Sequence, residues 1–386
     1  MDINYQLEKI LEIGISLSQQ TDIDVLLNQI LLEARRFTNC DAGSLYIKDK
    51  DSLRFVISHC DSLNLINKTD IITSFQERKI PISSKSLSGY VALTGETLNI
   101  DDVYQIPIHY GFTIDKSFDI DNNYKSISML LTPMQIPGGE IIGVLQLINA
   151  MDESGNVIAF RKEYEKLVQA LASNAAVSIN NVKLASKLKK SYLDTIIRLA
   201  IAAEYRDKET YHHIERISSY SAIIARHLGF KKEEIELIQY ASPMHDIGKL
   251  GIPDAVLLKD GKLTPDERKI IEEHTVIGEK ILSGSESPML ELSCTIAVTH
   301  HEKYDGTGYP KGLKHDEIPI AGRIVAIVDV FDALYSKRCY KPAFELDKVF
   351  EIIESEKGKH FDPECVDVFF KSKDEILNIA NKYKDP

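Results

Sequence analysis

No stretch of this chain runs for about 18 apolar residues, so the sequence offers no membrane span. The opening MDINYQLEKI lacks the basic-then-apolar pattern of a secretory leader. The five cysteines (Cys40, Cys60, Cys294, Cys339 and Cys365) are scattered, odd in number and without a CxxC pair. Reduced thiols in the cytoplasm are therefore expected, and a thiolate metal site is not. Positive charge is also short: 46 Lys and Arg against 58 Asp and Glu leave a net charge of -12. That argues against binding to a nucleic-acid polymer, so an anionic substrate has to be attracted locally, by metals and a few placed cations. What remains is a globular balance, 44% hydrophobic and 27% charged, over 386 residues, enough for two domains and a linker.

Proline and glycine are both absent from residues 161–205, which predicts one long helix. Leu167, Leu171, Asn174, Ser178, Asn181, Ala185, Leu188, Tyr192, Thr195 and Leu199 alternate by four and three, a coiled-coil spacing. The expectation is a homodimer seam, against the alternative of a helix packed on its own domains.

Before this helix the pattern is mixed. Leu7, Ile10, Leu11, Ile13 and Leu17 form one apolar helical stripe, and Leu26, Ile30, Leu31 and Ala34 a second. The acidic break at 21–24 is placed to cap the second helix. Residues 42–47 and 53–58 read as a hairpin, 87–93 as a short helix ending at Gly95, and 98–103 as extended. A long loop is expected over 104–124, then strands at 126–134 and 141–149 around the turn Pro137-Gly138-Gly139.

The order helix, two strands, LSGYVALTGETLNIDDV, SMLLTPM and GEIIGVLQLIN resembles a GAF domain, a small α+β sensory module with an antiparallel sheet. The signature of cyclic-nucleotide-binding members is incomplete here. Asn149 is followed by Ala150, and Phe160 by Tyr164-Glu165, so the lysine and aspartate positions are unmatched. Cys60 lacks a following histidine for bilin attachment, and His109 reads as an ordinary loop histidine sooner than a haem ligand. A small-molecule sensor and a purely dimerising module both stand.

The densest chemistry lies between His245 and Pro310. It comprises HDIGK from His245, an isolated His274, and HHEKYDGTGYP from His300. Imidazoles with carboxylates suit iron, manganese or zinc. His245-Asp246, His300-His301-Glu302 and the run Asp305 to Pro310 resemble the HD-GYP branch of the HD phosphohydrolases, as do Arg323 to Leu334, Arg338 and Tyr340-Lys341-Pro342. The implied organisation is an α+β GAF domain over 1–160, a dimerising linker helix over 161–190, and an all-α HD-GYP helical bundle over 191–386.

That resemblance implies hydrolysis of cyclic di-GMP to pGpG, and on to GMP. Two or three divalent ions are expected, iron first and manganese second. Two ions can clamp a phosphate and acidify a water. A carboxylate can bridge two ions where an imidazole cannot, which selects Asp246 as the bridge. His245, His274, His300, His301 and Asp329 are the other expected ligands of the core. Glu209 and His213, four apart on one helix face, are expected to take a third ion. Lys249, Arg338 and Lys341 are the expected phosphate ligands, with Lys249 also in the catalytic step, and Tyr309 is expected near a base. Asp207, Asp305 and Asp332 are expected to orient ligands, and Arg323 stays open between a phosphate contact and a structural tie from a helix to a carboxylate. Two other readings remain open: a cyclic di-GMP sensor with a dead site, and an HD-type hydrolase of another cyclic dinucleotide.

Overall fold

The computed structural model describes residues 3–63, 79–106, 111–112, 116–207, 211–336 and 344–384. The chain forms two compact units, Met1–Leu188 and Lys189–Pro386.

In the first unit, α1 (Ile3–Ser18) and α2 (Ile23–Thr38) are separated by Asp22, whose carboxylate accepts from the backbone N–H groups of Asp24 and Val25 and starts the second helix. The strands are β1 (Cys40–Asp49), β2 (Ser52–Cys60), β3 (Lys79–Pro81), β4 (Leu98–Ile100), β5 (Met129–Gln135), β6 (Ile141–Met151) and β7 (Val157–Ile158). They build one antiparallel sheet in the order β3-β2-β1-β6-β5-β4, with β7 on β6. Its centre, β1 and β6, alternates between two cores. One side packs Leu45, Leu145 and Leu147 against Leu26, Ile30 and Leu31 of α2 and against Leu171, Ala175 and Ile179. The other packs Tyr46, Val144 and Leu131 against Leu87 and Val91 of α3 (Leu87–Thr94). Each such buried aliphatic side chain contributes about 1.5–3 kcal/mol.

Two expectations change here. The expected loop over 104–124 contains a 3-10 turn (Val103–Gln105) and α4 (Ser117–Asn122). Asp119 of α4 is buried and fixes the segment by accepting from Tyr104 Oη and from the N–H and Oγ of Ser126. The predicted helix over 161–205 is α5 (Lys162–Glu204), but its seam is not continuous. Leu171 and Ser178 are buried in the first unit's own core, because α5 covers the sheet there. Leu184, Leu188 and Leu199 remain exposed.

The second unit takes the end of α5 and continues with α6 (Tyr211–His227), α7 (Lys232–Ala241), α8 (Asp254–Leu257), α9 (Pro265–Glu272), α10 (His274–Leu282), α11 (Pro288–Thr299), α12 (Ile320–Tyr335), α13 (Leu346–Ser355), α14 (Pro363–Lys371) and α15 (Lys373–Lys382). Two cores hold it. Tyr220, Phe331, Phe361 and Phe369 anchor the first, and Ile196, Ala200, Ile214, Ile296 and Val325 the second. Arg323 bonds Asp362 at 2.7 Å and Asp316 at 3.0 Å, tying α12 to the start of α14.

Candidate metal centre

Five segments of the second unit converge on Asp246. Residues His245 and Asp246 sit between two 3-10 turns, Ser242–Met244 and Ile247–Gly251. The second turn lies tight on α10, since a β-carbon on Gly248 would come within 1.8 Å of the His274 carbonyl oxygen. Glycine at 248 is thus what lets His274, at the start of α10, approach Asp246. His300 caps α11 and His301 follows it, while Asp329 and Asp332 stand one turn apart on α12. His213 comes from the first turn of α6.

The imidazoles are turned by their outer nitrogens. Nδ1 of His245 lies 3.0 Å from the Ser242 carbonyl, Nδ1 of His274 2.6 Å from that of Ile271, and Nδ1 of His300 3.1 Å from that of Ala297. A carbonyl only accepts, so each Nδ1 carries a proton and each Nε2 faces inward, as a lone pair where the ring is neutral. His213 is held in the same way by a carboxylate, with Nδ1 2.8 Å from Asp332 Oδ2. Arg216 donates to both oxygens of Asp332, at 2.6 and 2.8 Å.

Asp246 divides its oxygens between two groups. Oδ1 faces His274 Nε2 at 3.2 Å and His300 Nε2 at 3.6 Å. Oδ2 faces His245 Nε2 at 3.2 Å and Lys249 Nζ at 2.8 Å. Asp329 Oδ1 lies 3.9 Å from Nε2 of both His213 and His245. One donor set is Asp246, His274, His300 and His301, and another is Glu204, His213 and His245, with the ligand atoms of each within 4.8 Å of one another.

Lone pairs pointed at lone pairs repel. His274 Nε2 and His300 Nε2 are 3.4 Å apart, and His245 Nε2, Asp246 Oδ1 and Glu204 Oε1 are buried without a hydrogen-bond partner among the described residues. Unpaired buried polar atoms cost roughly 1–3 kcal/mol each. Divalent cations at these two positions resolve every one of those contacts, so the residues fit the metals that the sequence implies. The electrostatics differ between the two sets. Burial holds His300 below the ordinary imidazole range; burial, then the nearby His300 and His274, holds His301 well below it. Neutral imidazole is the form that binds a metal. For His245, burial is outweighed by Asp246, Asp329 and Glu204, which push it up to about 9. A surplus of carboxylate thus draws positive charge into that position.

Tyr309 stacks on His301, ring centroids 4.9 Å apart at 29°. Asp305 serves its own loop, accepting from the N–H and Oγ1 of Thr307. Lys249 reaches the cluster as noted. Glu209, Arg338 and Lys341 lie outside the described residues, as does the side chain of Asp207.

Three positions at or beside the cluster were given no role by the sequence reading. Glu204, the last residue of α5, is 2% exposed and its Oε2 lies 3.3 Å from Lys249 Nζ. Its signal was a carboxylate in the i, i+4 apolar stripe Ile196, Ala200, Glu204. Arg206 donates to the carbonyls of Lys249, Leu250 and Ile252 and fixes the turn that carries Lys249. Glu302 is buried and accepts from the N–H groups of Lys311 and Leu313, closing the glycine loop.

The first unit holds a separate cavity of about 230 Å³ lined by Tyr46, Phe55, Phe118, Met129, Gln146 and several serines. None of its described lining residues is Lys, Arg or His, a poor setting for an anionic ligand.

Residues 22–179 match the family model of the GAF domain and residues 198–365 that of the HD domain. Over 187 residues the chain is 50% identical to a protein of Thermotoga maritima named "Cyclic di-GMP phosphodiesterase", covering 48% of this chain and 51% of that one. It is 40% identical over 230 residues to the "Cyclic di-GMP phosphodiesterase response regulator RpfG" of Xanthomonas campestris pv. campestris, covering 59% and 60%. It is 39% identical over 220 residues to the "3'3'-cGAMP-specific phosphodiesterase 2" of Vibrio cholerae, covering 57% and 42%. The chain thus spans about half the length of the curated relatives it matches.

Proposed function

We propose that the chain, whose residues 22–179 match the GAF model and 198–365 the HD model, is a metal-dependent phosphodiesterase that opens cyclic di-GMP to pGpG and carries pGpG on to GMP. The observation that carries this reading is the division of Asp246, with Oδ1 among one set of imidazoles and Oδ2 beside another. A carboxylate so placed serves two ions. Bound there, divalent ions supply charge neutralisation at the phosphate and a water of lowered pKa.

His274, His300, His301 and Asp246 would hold one ion, and His213, His245, Asp246 and Asp329 a second. Iron is the first candidate and manganese the next, from the mixed imidazole and carboxylate donors. His245, His274 and His300 have their outer nitrogens engaged and would give their inner ones to the ions, so none would be free to attack phosphorus, and the reading needs no protein nucleophile. Lys249 Nζ, beside Asp246, is placed to offset charge developing on phosphoryl oxygens. Tyr309, stacked on His301, offers an aromatic face beside the site for a guanine. By resemblance, Arg338 and Lys341 add phosphate contacts, and Glu209 would hold a further ion that favours the second cleavage.

We further propose a cytoplasmic homodimer. Among the described residues no helix is long and apolar enough to cross a membrane. Leu184 and Leu188, exposed on α5, support a seam between two copies. The GAF domain would regulate turnover through α5, which contributes Leu171 to one core and Ile196 to another.

A second substrate deserves a place in the test because a relative 39% identical is named for 3'3'-cGAMP. The experiment is anaerobic purification, metal analysis per chain, and parallel assay of cyclic di-GMP, 3'3'-cGAMP and pGpG. Metal-dependent opening of cyclic di-GMP ahead of the mixed dinucleotide supports the reading. A folded, metal-loaded protein that binds cyclic di-GMP without cleaving it would make the chain a sensor.

A further inference from the structure

We propose that Glu204 is itself a metal ligand, completing a His-His-Glu donor set with His213 and His245. The inference rests on the metal-dependent reading above and adds a donor from outside the motifs that suggested it.

Glu204 ends α5 and turns inward with Ala200 and Ala203, into a core of Ile196, Ile214 and Met244. A carboxylate at 2% exposure in such a place needs compensation for each oxygen. Oε2 has Lys249 at 3.3 Å, but Oε1 is buried with no hydrogen-bond partner among the described residues. A carboxylate oxygen of Glu204 lies within 4.8 Å of ring nitrogens of His213 and His245, which lie equally close to each other. Ligand atoms about 2.0–2.2 Å from one ion can be at most ~4.4 Å apart, so a shift of a few tenths of an ångström closes the set. The two imidazoles are already held in place, His213 by Asp332 and His245 by the Ser242 carbonyl, and His245 Nε2 is also without a partner. With Asp246 and Asp329 at the same ion, Glu204 would make the donors two imidazoles and three carboxylates, which suits a first-row divalent ion such as Fe(II) or Mn(II).

The rival role for Glu204 is to anchor Lys249. That ammonium is closer to Asp246, at 2.8 Å, and engages only one oxygen of Glu204. The two roles part in one experiment on the full-length chain. Metals are counted in anaerobically purified wild type, Glu204→Gln and Lys249→Met, and Mn(II) is titrated into each after chelation, with circular dichroism as the check on folding. A ligand role predicts that Glu204→Gln loses one ion per chain, or binds it at least tenfold more weakly, while Lys249→Met keeps the wild-type count. Glu204→Asp, which keeps the charge but shortens the reach, should also weaken that ion, and it serves if the Gln variant does not fold. Wild-type count and affinity in both Glu204 variants, or the same loss in Lys249→Met, would overturn the proposal and leave Glu204 as the lysine's anchor. A wild type that holds no divalent ion would instead bring down the metal reading itself.

Discussion

His213 and Asp332 meet at 2.8 Å, Nδ1 to Oδ2, with both side chains about 2% exposed. The contact joins α6 to α12 and sets which nitrogen of His213 faces the cluster. Burial alone would raise the Asp332 carboxyl, but the hydrogen bonds and charges of His213 and Arg216 overcome it and hold it at about 2. Asp332→Ala leaves Arg216 buried without its carboxylate, and breaking such a pair costs about 3–5 kcal/mol. It should also weaken metal binding by roughly 10–100-fold. Urea unfolding and Mn(II) titration measure the two. The pH sense follows from the lowered folded value: the contribution is present above the ordinary aspartate value of about 3.9 and is lost as pH falls toward about 2.

Glu302 fixes the glycine loop with two charge-assisted bonds, to the N–H of Lys311 at 2.7 Å and of Leu313 at 3.0 Å. Glu302→Ala should cost about 1–3 kcal/mol for each donor left unpaired. Amide exchange should lose protection at 311 and 313 together. Retained protection at both would show that the loop holds itself.

His360 gives a second pH effect of opposite chemistry. Burial first, then the charge of Lys303, pushes its imidazole down to about 4. An unfolded histidine titrates near 6.5, so between about 6.5 and 4 the unfolded chain binds the extra proton. Stability present above 6.5 is therefore lost as pH falls through this window. In His360→Asn the drop in urea midpoint from about pH 7 to about pH 5 should be smaller than in wild type. Equal drops would remove His360 from the account.

The dimer is tested on the exposed part of α5. Leu184 is 53% and Leu188 72% exposed. Acidic residues at both should convert a dimer to a monomer in sedimentation without loss of helicity. A wild type that is monomeric at micromolar concentration contradicts the seam.

The cluster was largely legible in the sequence because its chemistry is carried by residue type. His245, Asp246, His274, His300 and His301 recur within one stretch as groups that signal metal, while His213 and Asp329 were picked out by the HD-GYP resemblance. The expected seam rests on spacing alone. Four-three spacing on a helix describes a face, and the first unit uses that face at Leu171 to cover its own sheet, so periodicity alone could not assign the partner. The helix Ser117–Asn122 was missed because six residues show no apolar period; it is held by Asp119, a polar contact. Glu204 was hidden in a polar run, EYRDKE, that reads as a solvated helix end. Its place four residues after Ala200, in line with Ile196, is the one signal that sets it apart from that run.

Asp246 carries the central claim, since its two oxygens face two sets of donors, and the most direct measurement is metal content and cyclic di-GMP turnover on one preparation of Asp246→Asn. The account predicts a folded protein with reduced metal and no detectable ring opening. A folded Asp246→Asn protein with wild-type metal content and wild-type turnover would contradict it.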